Sequence, residues 1–176
     1  MKKSGIIITI GDSEIIKYHL RRKEKEITNK EEIIKILKSG KYAIISMARQ
    51  NEPYIVTLSY GYDTKKKALY FHCAQEGLKM DFIKENPHVC GTIIEDNGYK
   101  DGCGQVFRSV VFRGKMTIIE GLEEKKHAFE VLVNHLENDP NYIKNKHLNK
   151  ENVFVKPGIL RLDIQEITGK EEKEES

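Results

Sequence analysis

The sequence has no tryptophan, only three cysteines and four prolines in 176 residues. It also has no apolar run of the length a membrane span requires, and each shortage excludes something. The N-terminal stretch GIIITI is six residues long, against the ~20 apolar residues of a spanning helix, and no small-residue cleavage pattern follows it. The expectation is a soluble, unexported, cytoplasmic protein with no membrane partner. Cys73, Cys90 and Cys103 are odd in number and two of them sit inside apolar strand-like runs, which fits a reducing compartment better than a disulfide framework. Whether Cys90 and Cys103 approach one another is left open by sequence. There is no CxxC or HExxH, and the six histidines are scattered, so no metal site is expected. Charge is nearly balanced: 30 basic against 27 acidic side chains leave +3. The runs Arg21-Arg22-Lys23 and Lys65-Lys66-Lys67 are interrupted by acids or confined to a turn, so no nucleic-acid face is expected. A GxGxxG turn and the βαβ alternation of a doubly wound sheet are both missing.

What the chain does have is strands. Four runs follow in quick succession: 42–48, 53–62, 68–74 and 88–95. Turns at Asn51-Glu52 and Asp63-Thr64-Lys65 give the first three the spacing of a meander. In the second, Tyr54, Val56, Leu58 and Tyr60 alternate with Ile55, Thr57 and Ser59, so one wall is apolar and the other mixed, and a mixed inner-facing wall suits a polar ligand. A loop, EDNGYKDGCGQ, leads to a long strand from Val106, in which Gly114 marks a bulge or bend. The run GILRLDIQEITG closes the fold. Helices are expected over ITNKEEIIKILKSG, capped by Thr28 with Glu31 and buried through Ile33, Ile34 and Leu37. Others are expected over GLKMDFIKENP and over residues 122–138, where Phe129, Leu132, Val133 and Leu136 turn inward. Residues 139–157 read as a polar linker. The fold class that follows is mainly β with peripheral helices, a six-stranded antiparallel barrel over residues 21–168. Residues 1–20 form an extension with a possible hairpin, and residues 169–176 a charged flexible tail.

One junction carries chemistry. After Tyr70-Phe71-His72-Cys73-Ala74 the chain passes through Gly77-Leu78-Lys79 directly into an amphipathic helix. This sets a lysine and free backbone amides together at a strand end, which is a seat for an anion.

The order of these elements resembles the FMN-binding split barrels of the pyridoxamine 5'-phosphate oxidase type, and more closely their nitroimidazole-reductase-like branch. The residues that carry the resemblance are RRKEKEIT, PYIVTLSYGY, LYFHCAQEGLKMDFIKENPHVC and FRSVVFRGKM. It implies a homodimer with FMN at the subunit interface, serving a small-molecule electron donor and acceptor. By the same resemblance Lys79 holds the cofactor phosphate, with Ala74 to Gly77 offering amides. Val56, Thr57 and Leu58 line the ring, His72 and Cys73 lie beside it, and Ser109 takes the place of an oxidase glutamine. The oxidases carry an Arg-Lys pair where this chain has Leu78-Lys79. One cation is therefore missing, and Arg108 or another positive side chain of the partner subunit is the candidate to replace it.

The bland alternatives are a solvent-exposed Lys79 and ordinary strand packing at Val56, Thr57, Leu58 and Ser109. His72, present as Phe-His in the nitroimidazole-reductase-like branch, is the catalytic candidate. It either donates a proton or hydrogen bond to a substrate, or is a histidine satisfied by a backbone carbonyl. Cys73 packs rather than reacts, and His88, His127, His135 and His147 read as structural or surface residues. Without tryptophan, and with ILRLDIQEI as its last strand, the chain lacks the segment with which the oxidases grip pyridoxamine phosphate. The function implied is an FMN-dependent oxidoreductase reducing a nitro-aromatic compound or another flavin. The alternative is a non-catalytic flavin- or haem-binding barrel, a carrier or redox sensor.

Overall fold

The computed structural model describes residues 8–9, 20–101, 104–148 and 152–172. In chain order the elements are β1 (Ile8–Thr9), α1 (Lys30–Ser39), β2 (Tyr42–Arg49), β3 (Glu52–Asp63), β4 (Ala68–Cys73) and α2 (Leu78–Glu85). They continue with β5 (His88–Lys100), β6 (Gly104–Ile119), α3 (Leu122–Leu136), α4 (Pro140–His147), α5 (Asn152–Val155) and β7 (Gly158–Glu172). Strands pair in the order β1-β7-β4-β3-β2-β5-β6, and β6 pairs back onto β7. Every pairing is antiparallel. Six strands thus form a closed ring with helices around it, as the strand spacing predicts.

Pleating decides what goes inside. Ala43, Ile45 and Met47 of β2 are buried, while Tyr42 and Ser46 between them are exposed. The same alternation along the ring sends Phe71, Phe112, Leu160 and Leu162 into one apolar core with Ile36 and Leu37 of α1 and Met80 and Phe82 of α2. A smaller cluster, Ala68, Tyr70, Ile119, Ala128, Leu132 and Ile159, sits under α3. Gly61 lets α3 approach so closely: a Cβ there would lie 2.8 Å from the Leu132 backbone. Tyr60 is fully buried, and its hydroxyl donates to the Leu37 carbonyl at 2.8 Å, fixing the last turn of α1 to the barrel.

Several expectations are corrected. Asn29, not Thr28, caps α1, its side chain accepting from the Glu31 amide at 2.8 Å. The third buried position is Ile36 rather than Ile34, because α1 docks with its Ile33, Ile36 and Leu37 side on the barrel. The loop after Glu95 is largely strand. β5 runs on to Lys100 with a bulge between Asp96 and Tyr99, where Gly98 takes φ +98° and donates to Asp96 Oδ1. At Gly114 the register does shift, but the extra residue is Gln165 on β7. Gly114 itself allows a close approach, since a Cβ would fall 2.1 Å from the Asp163 carbonyl oxygen. The polar linker contains α4, capped by Asp139, and α5. Residues 169–172, expected in a frayed tail, continue β7 and pair with Phe107–Val110, because the strand edge offers their backbone a full ladder despite their charge. Within the N-terminal extension, Ile8 and Thr9 pair with Ile167 and Glu166. The rest of the proposed hairpin and Cys103 lie outside the described residues.

A polar network anchors α3 to the outer side of β4 and β7. Glu124 receives Lys66 Nζ at 2.8 Å, Arg161 Nη1 at 3.3 Å, and the Tyr70 hydroxyl. Burial works to raise the Glu124 pKa, but these hydrogen bonds and charges outweigh it and hold the carboxyl at about 2. Close by, Asp63 is 7% exposed and accepts from the Lys65 and Lys66 amides and from His127, whose Nε2 lies 2.6 Å away. A folded pKa below the unfolded one stabilises the fold in full above the unfolded pKa, and this is lost as pH falls through the folded value. Glu124→Gln should therefore lower stability at pH 7 by about 1–2 kcal/mol in urea unfolding. Its gap from the wild type should close as pH falls from about 5 to about 2.

Candidate functional site

The outer face of β3 and β4 is only partly covered. α3 crosses it at the Gly61 and Tyr70 end, leaving a groove of ≈490 Å³ lined by Thr57, Leu58, Ser59 and His72 on the sheet side. Phe129, Leu132, Val133, Leu136 and Glu137 line it on the helix side. The mixed wall of β3, expected to face inward, faces outward instead: Val56, Leu58 and Tyr60 pack on the core, so the period-2 alternation sends Thr57 and Ser59 to the outer face, and His72 follows the same rule on β4. Val56 and Leu58 face the other way, against the main core, so what they can offer a ligand in the groove is chiefly backbone.

His72 is exposed on the groove side, and its ring packs against Phe129 with centroids 5.7 Å apart. Phe129 is in turn braced edge-on by Phe154 of α5 at 5.4 Å. Partial burial lowers the His72 pKa, which keeps the imidazole neutral at neutral pH, with one nitrogen carrying a proton and the other accepting. Its side chain makes no hydrogen bond to any described residue, so the carbonyl-satisfied reading of this histidine finds no partner. By contrast His135 and His127 are held structurally, His135 Nε2 lying 2.7 Å from the Gly40 carbonyl oxygen and His127 on Asp63.

Beyond His72 the chain leaves β4 for α2. Cys73 turns toward the core, where its Sγ meets Met80 Sδ at 4.0 Å. Burial pushes its thiol pKa up, and the Lys79 charge only partly counters this. The loop 74–77 is tied down on one side, Gln75 Nε2 donating to the Val155 carbonyl at 2.8 Å. Gly158 passes so close to Ala74 that a Cβ would lie 2.7 Å from its carbonyl oxygen. Gly77 starts α2 with φ +118°, and nothing lies within 4 Å of where a Cβ would stand. No side chain caps the helix, and with the Met80 amide donating to the Gly77 carbonyl at 2.8 Å, the Leu78 and Lys79 amides are the ones left without a partner among the described residues. Lys79 is half-buried beside them and has no carboxylate partner among the described residues.

The structure thus gathers Thr57, Leu58 and His72 in one groove and sets Cys73, Ala74 and Lys79 at its β4 end. Ser109 belongs to the same outer sheet face, paired across from Ile94. Arg108 does not join them within the chain. It lies on the opposite face of β6, donating to Glu95 and Glu32 at 2.8 Å each, where it ties α1 to the sheet. The helix side of the groove was missed as a site wall, because Phe129 and Leu136 share the apolar stripe of α3 with buried Leu132 and carry no polar signal of their own. Among the described residues no three His, Cys, Asp or Glu side chains group to hold a metal ion. No described helix is long and apolar enough to cross a membrane.

The fold recurs in solved structures. A candidate 5-nitroimidazole antibiotic resistance protein from Bacteroides thetaiotaomicron is 24% identical, with a TM-score of 0.70 over 82% of this chain and 85% of that one. Flavocytochrome Anf3 from Azotobacter vinelandii is 17% identical, with a TM-score of 0.75 over 89% and 73%. An FAD and heme binding protein from Mycobacterium smegmatis is 15% identical, with a TM-score of 0.73 over 85% and 74%. No curated protein matches the chain.

The thiol of Cys73 gives a direct check on the geometry of the β4 end. Its alkylation by iodoacetamide at pH 7.5 should run about tenfold or more slower than that of a free cysteine, timed by mass spectrometry. A rate equal to free cysteine would mean that the thiol faces the groove instead of Met80. The pattern of the pyridoxamine 5'-phosphate oxidase family matches residues 29–171, and with the split-barrel fold around this groove the chain belongs to that family.

Proposed function

We propose that the protein is a homodimeric FMN-binding flavoprotein, and an oxidoreductase that passes reducing equivalents to a small planar acceptor such as a nitro-aromatic compound or another flavin. The observation that carries the reading is Lys79: a half-buried cation without a carboxylate partner among the described residues, beside uncapped α2 amides at a left-handed glycine. A phosphate dianion is the group that such a corner stabilises, by charge-assisted hydrogen bonds to amides and ammonium together. Family membership and neighbours described as a flavocytochrome and as FAD and heme binding support a flavin in that role.

When bound, the flavin supplies the two-electron chemistry. The chain supplies the rest. Lys79 and the amides around Gly77 hold the phosphate. Thr57 and the backbones of Val56 and Leu58 support the ring along β3. Neutral His72 presents an N–H that donates a hydrogen bond to an acceptor oxygen and holds it in place as the acceptor is reduced.

The partner in this reading is a second copy of the chain. Tyr42, Ile55 and Ile94 are 64, 63 and 53% exposed on one outer sheet face, next to Ser109 and the groove. An apolar face of this kind is an assembly surface, and covering it with a twofold mate would enclose the groove.

Titration of the purified protein with FMN, FAD and haem, followed by visible spectra, tests the cofactor. FMN should bind, and Lys79→Ala should raise its Kd about 10- to 150-fold, the worth of a hydrogen bond to a charged group. An unchanged Kd would refute the phosphate assignment. A Soret band without flavin uptake, or flavin uptake without acceptor-dependent turnover, would favour the carrier or sensor reading. Ile55→Asp should convert the dimer to monomer in sedimentation velocity while leaving the barrel folded by circular dichroism, whereas a monomeric wild type would overturn the assembly.

A further inference from the structure

The helix wall of the groove has a shape and chemistry that the flavin reading does not use. Phe129, Val133 and Leu136 lie on one stripe of α3, facing the hydroxyls of Thr57 and Ser59 and the ring of His72 across the groove. Phe129 is only partly buried, which is unusual for a phenylalanine whose neighbours Ala128 and Leu132 are 0 and 5% exposed. Phe154 packs edge-on against it, so its ring is held in place. α5, which carries Phe154, is also the element whose Val155 carbonyl receives Gln75 from the loop before Gly77. One short helix thus braces both the aromatic wall and the β4 loop.

We propose that Phe129 is the specificity-determining residue of the acceptor site, selecting an uncharged aromatic ring that packs along Phe129, Val133 and Leu136 with its polar substituent at His72. The inference rests on the reading of His72 and the groove given above. Three physical points favour it. An aromatic ring against a fixed aromatic neighbour gains offset or edge contacts beyond its area burial. The polar groups facing the wall, His72, Thr57 and Ser59, make no side-chain hydrogen bond to any described residue and are all neutral at pH 7. They match a nitro or carbonyl oxygen rather than an anion. The charged groups nearest the wall are Glu137, which lines the groove, and Lys41, whose Nζ is engaged by the carbonyls of His135 and Leu136 at 2.8 and 3.2 Å. Lys41 keeps its charge on these neutral carbonyls, so Glu137 and Lys41 offset one another, and the apolar wall offers no net charge to compensate a carboxylate that loses its hydration against Phe129.

The test uses the protein loaded with flavin and reduced by dithionite, so that the unknown electron donor does not enter. Reoxidation is followed by stopped flow with 4-nitrobenzamide, with 4-nitrobenzoate as its anionic counterpart, and with dioxygen as an acceptor too small to need the wall. The wild type should prefer the amide over the carboxylate. Phe129→Ala should raise the half-saturating amide concentration roughly tenfold with a much smaller change in the limiting rate, Phe129→Tyr should restore it, and dioxygen should react as in the wild type. Phe129→Leu guards against a folding defect, keeping the apolar volume while losing the ring contacts, and should fall between the two. Equal sensitivity of dioxygen and amide to Phe129→Ala, or no preference between amide and carboxylate, would overturn the proposal. If the protein takes up no flavin, the flavin reading fails separately. The wall is then judged by the imidazole NMR signal of His72, which should shift on adding 4-nitrobenzamide to the wild type and not to Phe129→Ala, and an unmoved wild-type signal would overturn the wall as well.

Discussion

The ladder between β6 and β7 is the constraint on which the molecule depends. β7 is the strand with most to pair: along Gly158–Asp163 it bonds β4 on one edge, and along Ile159–Glu172 it bonds β6 on the other. Without the second ladder the sheet would end in two long bare edges, β6 on one side and the upper part of β7 on the other, both rich in β-branched residues and open to pairing with other chains. Closing the ring removes both. It also curves the sheet, and curvature is why Gly91 faces Phe112 so tightly that a Cβ would sit 2.5 Å from its ring, and why Gly114 lies against the Asp163 carbonyl.

Closure has a consequence for function. The barrel interior is filled by Phe71, Phe112 and Leu160, each 0% exposed, and their neighbours, which turns attention for a ligand to the outer face. The outer face is where the pleat sends the alternate residues, and α3 covers only part of it. The groove is therefore what remains between a helix laid across one end of β3 and β4 and the uncovered end bearing Thr57 and His72. The same reasoning separates Arg108 from Ser109. They are neighbours in sequence and opposite in direction, one answering carboxylates of α1 and β5 and the other facing outward.

What the sequence made legible follows from this division. Strand alternation is a local, period-2 signal, and it was sufficient to identify the ring of six strands and the mixed wall of β3, though not which wall turns outward, because that is set by how the whole ring packs. The junction at Gly77-Leu78-Lys79 was legible for a similar reason, since a glycine before an amphipathic helix states a backbone geometry directly. Features set by distant partners were not legible. The fate of Arg108 is decided by Glu32, 76 residues away. Residues 169–172 are charged and by composition belong to a tail, yet they are ordered because β6 presents them an unpaired edge. Residues 139–157 lack apolar periodicity, and their helices are held by single anchors such as Phe154 against Phe129.

The electrostatics of the two ends of the site point the same way. At the β4 end Lys79 stands half-buried without a carboxylate partner among the described residues, whereas the more deeply buried Lys125 donates to the Pro157 carbonyl at 3.3 Å and Arg161 is held by Glu124 and Asp163. Burying part of a cation without a partner costs free energy that a fold under stability selection does not retain without return. Replacing the oxidases' Arg-Lys pair by Leu78-Lys79 halves the positive charge at that corner. The seat then depends more heavily on the α2 amides and on Gly77, whose φ of +118° aims them outward. At the other end, burial holds His72 neutral, so it contributes no charge to compete with Lys79 for an anion. One end of the groove is thus suited to a dianion and the other to a neutral polar group. That is the charge distribution of a molecule with a phosphate tail and an uncharged ring.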